Sequence, residues 1–453
     1  MSEMKLLVRI LFLLLWLTAA TLPARAVSFT NDIAPILVQK CLSCHGAEKN
    51  KGGYRLDTFA WLLKPGSSKE TPIVPGKPDS SKLYQLLITT DEEDRMPQKN
   101  EPLPNQEVEQ IKRWISEGGG FDGPSTNSTL ITIIPPLHQP DPPEVYPHPI
   151  PITALAFSPN GSELAASGYH EITIWSATNG KLLRRIKNVA QSTLCLAYSP
   201  DGSLLAAAGG TPGRIGEVKL FKPASGELSA VLATSTDVML AVAFRPDGAK
   251  LAAGGSDNRI QIFDLSSNTM LRWIEQHSDW VTSLAFSHDG KLLASASRDK
   301  SARIYEAKIG AMEHSYLGHG DFVYGVGFSP DDQRVWSCGR DRKVHYWKTT
   351  EEKKSKSGEV GSFEGEVLKL IVTSNAVFSC STDGFARQHS TDKTPELIRT
   401  FSHNGQPIYA LALDETHHRL ATGSHDGKIR IWDIYDGKEV LMFTAAPGME
   451  TPH

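Results

Sequence analysis

Apolar positions follow one period in the first quarter of the chain and another in the rest. Ile33, Ile36 and Leu37 fall at helical spacing behind Asn31 or Asp32, either of which can cap a helix that ends at Cys41. Val108, Ile111, Trp114 and Ile115 share one face of a second predicted helix, Gln106 to Glu117, capped by Asn105 and stopped by Gly118-Gly119-Gly120. From residue 121 to 151 the pattern fails, and prolines 135, 136, 140, 142, 143, 147, 149 and 151 mark a semi-rigid spacer. Within it only Thr129 to Ile134 reads as a strand. From Ile152 onward, short apolar or alternating runs are separated by turns such as Ser199-Pro200-Asp201-Gly202.

Those runs repeat. Anchors at Phe157, Tyr198, Phe244, Phe286, Phe328, Leu370 and Leu413 are spaced by 41, 46, 42, 42, 42 and 43 residues. In each unit a third strand ends at Trp175, Phe221, Phe263, Tyr305, Trp347, His389 or Trp432. About 42 residues and four strands per unit predict a seven-bladed β-propeller.

Phe263-Asp264 and Trp432-Asp433 make this region resemble the WD40 family. The resemblance implies a His, Ser/Thr, Asp, Trp tetrad in each blade. It assigns His277, Ser295, Asp299 and Tyr305, then His319, Ser337, Asp341 and Trp347, then His403, Thr422, Asp426 and Trp432. His148 holds the same offset in blade one, where His170 replaces the Asp; the second and sixth blades match weakly, the second carrying a Gly-rich insertion from Gly209 to Gly216. These recurring His and Asp residues read as architecture, not catalysis. His417-His418 reads as a solvated turn and Lys353-Lys354-Ser355-Lys356 as a charged connection. Either Glu439 to Phe443 or Thr129 to Ile134 can supply the outer strand of the last blade.

A length of 453 residues, 40% hydrophobic and 22% charged, fits two or three globular domains, and a charge of −4 gives no reason to expect a nucleic-acid partner. Residues 1–26 read as an export signal. Lys5 and Arg9 precede the apolar run Ile10 to Leu17, and Ala24-Arg25-Ala26 predicts cleavage before Val27. That run is short for a membrane span, so no transmembrane segment is expected in the mature chain. Cys195, Cys338 and Cys380 read as small buried hydrophobes.

The remaining two cysteines lie in Cys41-Leu42-Ser43-Cys44-His45-Gly46, the attachment signature of c-type haem. Two thiols at this spacing form thioethers with the two vinyl groups, and His45 reaches the iron. A zinc site would need further ligands, and the next Cys or His is His138. A redox dithiol would need a βαβ setting that is absent here. The sole methionine between residues 27 and 120 is Met96, and a thioether there can complete a Met/His site.

With this motif, Ile73-Val74-Pro75-Gly76-Lys77-Pro78-Asp79-Ser80-Ser81, Arg95-Met96-Pro97 and Trp114-Ile115 resemble the planctomycete-type cytochrome c domain over residues 27–120. The resemblance implies Cys41 and Cys44 as covalent haem sites, His45 as proximal ligand and Met96 as distal ligand. Gln98 stands where a second proline is usual.

The expected whole is a multidomain α plus all-β protein: signal peptide 1–26, single-haem cytochrome c domain 27–120, linker 121–151, and WD40-type propeller 152–453. The expected function is exported electron transfer through one covalent haem, without an intrinsic active site, the propeller docking an unidentified redox partner. The alternatives are a redox enzyme or enzyme subunit whose propeller holds a substrate or second cofactor, and a haem-based redox or gas sensor. The first-strand segments Thr153 to Phe157 and Ser283 to Phe286 offer no metal cage for the former.

Overall fold

The computed structural model describes residues 25–449, apart from 43, 48, 99–100, 135–138, 236, 350–356, 362 and 393. The export signal up to residue 24 and the Lys353–Lys356 run lie outside the described residues. The chain divides into two compact units, one ending at Ile133 and the other beginning at Ile134.

The first unit is helical. Ser28, not Asn31 or Asp32, caps its first helical segment. The Ser28 hydroxyl accepts the Asn31 N–H at 3.0 Å, while the Asp32 carboxylate accepts the Ser28 N–H at 2.8 Å. Helix Ala34–Lys40 continues from there and ends at Cys41. The closing helix is Asn105–Ser116; Asn105 is its first residue rather than its cap, and no side chain caps it. Its buried face, Ile111, Trp114 and Ile115, packs where the apolar spacing places it. Trp114 meets Phe29 at 5.3 Å between ring centroids, and Phe59 meets Phe29 at 4.8 Å and Phe121 at 4.6 Å. This aromatic cluster joins both ends of the unit, with Asp122 accepting the Thr30 N–H at 2.8 Å.

Thr129 to Ile134 is not a strand. Leu130–Ile133 forms a helical turn with Leu130 and Ile133 buried, the Leu130 N–H bonds the Asp57 carbonyl at 2.9 Å, and Thr129 bridges Thr58. The β-branched composition is overridden by tertiary burial of these two apolar side chains.

The second unit is a propeller of seven four-stranded antiparallel sheets, each built from four consecutive strands. The last blade consists of Ile408–Asp414, Arg419–Ser424, Lys428–Asp433 and Glu439–Thr444, so its outer strand comes from the C-terminal end. The ring closes by packing rather than strand exchange. Ile152, Leu155, Leu164 and Trp175 of the first blade share one buried cluster with Ala410, Ala421, Ile429, Ile431 and Phe443 of the last. Equivalent clusters fill the other six junctions between neighbouring blades. A register shift just before the terminal aromatic recurs at Trp175, Phe263, Tyr305 and Trp432, the mark of a β-bulge between third and fourth strands.

In two blades the assigned His, Asp and Ser are joined; Trp347 donates to Ser337 at 3.5 Å, whereas the buried Tyr305 hydroxyl has no hydrogen-bond partner. His277 bonds Asp299 at 2.8 Å and Ser295 at 2.7 Å; His319 bonds Asp341 and Ser337, each at 2.8 Å. The third differs. His403 bonds Thr422 at 2.6 Å, and Trp432 donates to Thr422 at 2.8 Å, but the other His403 nitrogen accepts from Arg430 at 2.7 Å. Asp426 instead accepts from Ser424, because the Arg430 guanidinium occupies its expected place. Blade one has no tetrad: His148 is exposed, and His170 is buried against the Val189 carbonyl at 3.2 Å. Its lock is the fully buried Glu171, which accepts from Tyr146 at 2.7 Å and Arg185 at 2.6 Å.

Part of the proline-rich stretch is thereby fastened to the propeller. Arg185 also donates to the Pro143 and Glu144 carbonyls, and Gln139 donates to the buried Glu217 at 3.0 Å. The glycines of blade two lengthen a hairpin, pairing Gly210 with Gly216 and Thr211 with Ile215. No disulfide joins any of the five cysteines, and Cys338 and Cys380 are buried. His417 is tied to Asp414 at 2.9 Å at the surface.

Candidate functional site

Helix Ala34–Lys40 ends in a tight turn in which the Cys44 and His45 N–H groups both bond the Cys41 carbonyl at 3.1 Å. This turn lies at the edge of an open, largely apolar cavity. Cys41, His45 and Met96 line the same cavity, although Met96 lies more than fifty residues from Cys41 in sequence. Cys44 sits on the adjoining turn, half-buried. The remaining wall is largely aliphatic: Leu37, Leu56, Leu83, Leu86, Leu87 and Ile111. Lys51, Ser67, Ser68, Glu70 and Lys82 add polar groups.

His45 is oriented by its neighbour. Its Nδ1–H donates to the Tyr54 carbonyl at 3.2 Å, leaving the lone pair on Nε2, the tautomer a metal ligand requires. Burial lowers its pKa and keeps the ring neutral. Tyr54 is itself anchored by its hydroxyl, which donates to the Leu62 carbonyl at 2.8 Å. The loop bearing Met96 is held by a bond from its N–H to the Leu86 carbonyl at 2.8 Å, which ties it to helix Lys82–Ile88. Opposite, Gly66 allows two loops to touch; a Cβ there would lie 2.6 Å from the Gly52 carbonyl and 3.0 Å from Tyr54.

Desolvation pushes the Cys41 thiol up to about 12. Two buried polar atoms flank the site without a hydrogen-bond partner, Arg95 Nε beside Met96 and Glu107 Oε2, whose charge also acts on Cys41. An aliphatic cavity, a neutral oriented imidazole, a thioether and a buried thiol are the donor set and surroundings of a haem, and the residues present fit the group.

The sequence singled out Cys41, Cys44, His45 and Met96 but missed Tyr54 and Leu86. Both act through backbone carbonyls, which carry no residue-type signal.

Fold and site together define a small helical cytochrome-like unit joined to a seven-bladed propeller. Comparison with known families agrees: residues 41–100 match the family described as Planctomycete cytochrome C. Residues 143–176, 226–264, 268–306, 310–348 and 395–433 match the WD domain, G-beta repeat. The chain therefore carries a planctomycete-type cytochrome c domain, of a haem-binding family, and five recognisable WD40 repeats within its propeller. Four of the five matched repeats span the outer strand of one blade and three strands of the next; residues 268–306, for example, take in Thr269–Ile274 and the strands up to Ala302–Glu306, whereas 143–176 holds only the first three strands of blade one. The chain is also similar to WD repeat-containing protein 55 of Mus musculus, at 32% identity over 71 residues. That match covers 16% of this chain and 18% of the mouse protein. Among the described residues no helix is long and apolar enough to cross a membrane.

Proposed function

We propose that the protein is an exported electron-transfer cytochrome with one covalently attached haem, whose propeller docks a redox partner. The observation that carries this reading is the convergence of Cys41, His45 and Met96 on one largely aliphatic cavity. When bound there, haem iron supplies one-electron oxidation and reduction. Cys41 and Cys44 would hold the group through thioethers to its two vinyl substituents. His45, its Nδ1–H held by the Tyr54 carbonyl, presents Nε2, and Met96 presents its sulfur. With haem bound, His45 and Met96 would both be taken up as iron ligands, leaving no site for substrate or gas, which favours electron transfer over catalysis or sensing. The largely aliphatic wall would surround a bound haem with groups of low polarity, and Met/His ligation would raise its reduction potential.

The export signal and covalent attachment belong together, since a c-type haem is attached outside the cytoplasm. The propeller supplies broad faces on which a partner protein can seat.

Optical spectra of the haem-loaded protein, ferric and ferrous, with and without carbon monoxide, test this. The expected ferrous form is low-spin and unmoved by carbon monoxide, and Met96→Ala removes the ferric near-infrared methionine band. High-spin iron, or ready carbon monoxide binding in the wild type, would overturn the closed site and favour sensing or haem catalysis.

A further inference from the structure

We propose that His319, Asp341 and His345 in the fifth blade form a binding site for a divalent transition cation of the Zn2+ or Cu2+ type, separate from the cytochrome-like unit. One ligand atom from each of these residues lies within 4.8 Å of the others. His319 Nδ1 is 2.8 Å and His345 Nε2 is 3.3 Å from the same carboxylate oxygen, Asp341 Oδ2. Two bonds of about 2.0–2.1 Å at a tetrahedral metal place their donor atoms roughly 3.3 Å apart. The His345 pair has this separation, and the His319 pair needs to open by about half an ångström to reach it.

Comparison among the blades sets this site apart. The residue two positions before the terminal aromatic of the third strand is Arg303 in the fourth blade, Arg387 in the sixth and Arg430 in the seventh. Arg303 pairs with Asp299 at 3.3 Å and Arg387 with Asp383 at 2.8 Å, so a fixed cation neutralises the turn carboxylate. In the fifth blade that position is His345, a ligand in place of a charge. His345 is buried, and its Nε2 has no hydrogen-bond partner despite facing Asp341. An unpartnered buried nitrogen costs stability unless something binds it.

The remaining nitrogens are already engaged as outer-shell contacts. His319 Nε2 bonds Ser337 at 2.8 Å, and His345 Nδ1 bonds the Tyr316 hydroxyl at 3.0 Å. With the cation bound, each imidazole donates its second N–H to these oxygens, the arrangement that fixes ring orientation in metal sites. The donor set of two imidazoles and one carboxylate suits Zn2+ or Cu2+ and leaves a coordination position for water.

The test is calorimetric titration of the chelator-treated full chain with Zn2+, comparing wild type with His345→Arg and Tyr316→Phe. His345→Arg installs the residue three other blades use, so the fold is retained, and circular dichroism checks this. His345→Gln serves instead if that variant fails to fold. The expected result is one Zn2+ equivalent in the wild type that is lost in the His345 variant, and binding weakened roughly 10- to 100-fold in Tyr316→Phe. A raised thermal midpoint with Zn2+ in the wild type alone gives a second readout. Zn2+ held by Cys41, Cys44 and His45 would bind wild type and variant equally. Equal binding, or none in the wild type, overturns the proposal.

Discussion

Arg430 Nη1 donates to His403 Nδ1 across 2.7 Å, in the place where the fourth and fifth blades set a carboxylate. A nitrogen that accepts this bond cannot also carry a proton. Burial, reinforced by the Arg430 charge, lowers the His403 pKa to about 3. The unfolded chain, with a histidine near 6.5, takes up the proton first as pH falls. His403 therefore contributes stability that is present above about pH 6.5 and lost as pH falls toward 3. Denaturant unfolding across this window should show a loss on the order of a few kcal/mol. Arg430→Gln should make the slope shallower, because part of the penalty on protonation is removed. An unchanged slope would assign the acid sensitivity elsewhere, for example to His389, whose pKa burial lowers to about 4.

Trp114 holds the first unit together. It is 2% exposed and meets Phe29 and Phe59 at 5.3 and 6.4 Å. Trp114→Ala should cost about 3–5 kcal/mol, as expected for an aromatic cavity. The cost should fall on the unfolding transition of residues 27–133 and leave the propeller transition in place, as differential scanning calorimetry would resolve.

Glu171 is fully buried and holds both Tyr146 and Arg185. Glu171→Gln leaves the Arg185 charge without its partner and should cost about 3 kcal/mol or more. Because Arg185 also holds the Pro143 and Glu144 carbonyls, limited proteolysis should cut residues 139–146 faster in this variant. The double variant Glu171→Met/Arg185→Met should recover much of the stability, since no lone charge remains.

Gly216 lies in the lengthened hairpin of blade two, where a Cβ would sit 2.0 Å from the Asp237 carbonyl oxygen. Gly216→Ala should force the backbones apart and cost about 1–3 kcal/mol in chemical denaturation. A neutral result would show that residues 215–217 and 237–239 can separate without loss.

The repeat spacing determined the propeller, because each blade is a local four-stranded unit whose turns and terminal aromatics recur in the chain. The Cys41-to-His45 motif and Met96, the one methionine between residues 27 and 120, likewise named residues that line one cavity. What the sequence left open depends on contacts between distant segments. It offered two outer strands for the last blade. Packing decided for Glu439–Thr444, because Leu130 and Ile133 are buried in the first unit instead. It assigned Asp426 to His403 by offset, whereas the long Arg430 side chain reached that nitrogen first. It read the prolines as a spacer, since no local pattern reveals that Glu171 and Arg185 fasten residues 143–146. Short-range periodicity is written in residue order; partner choice among buried polar groups is settled only when the tertiary structure brings competitors within hydrogen-bond reach.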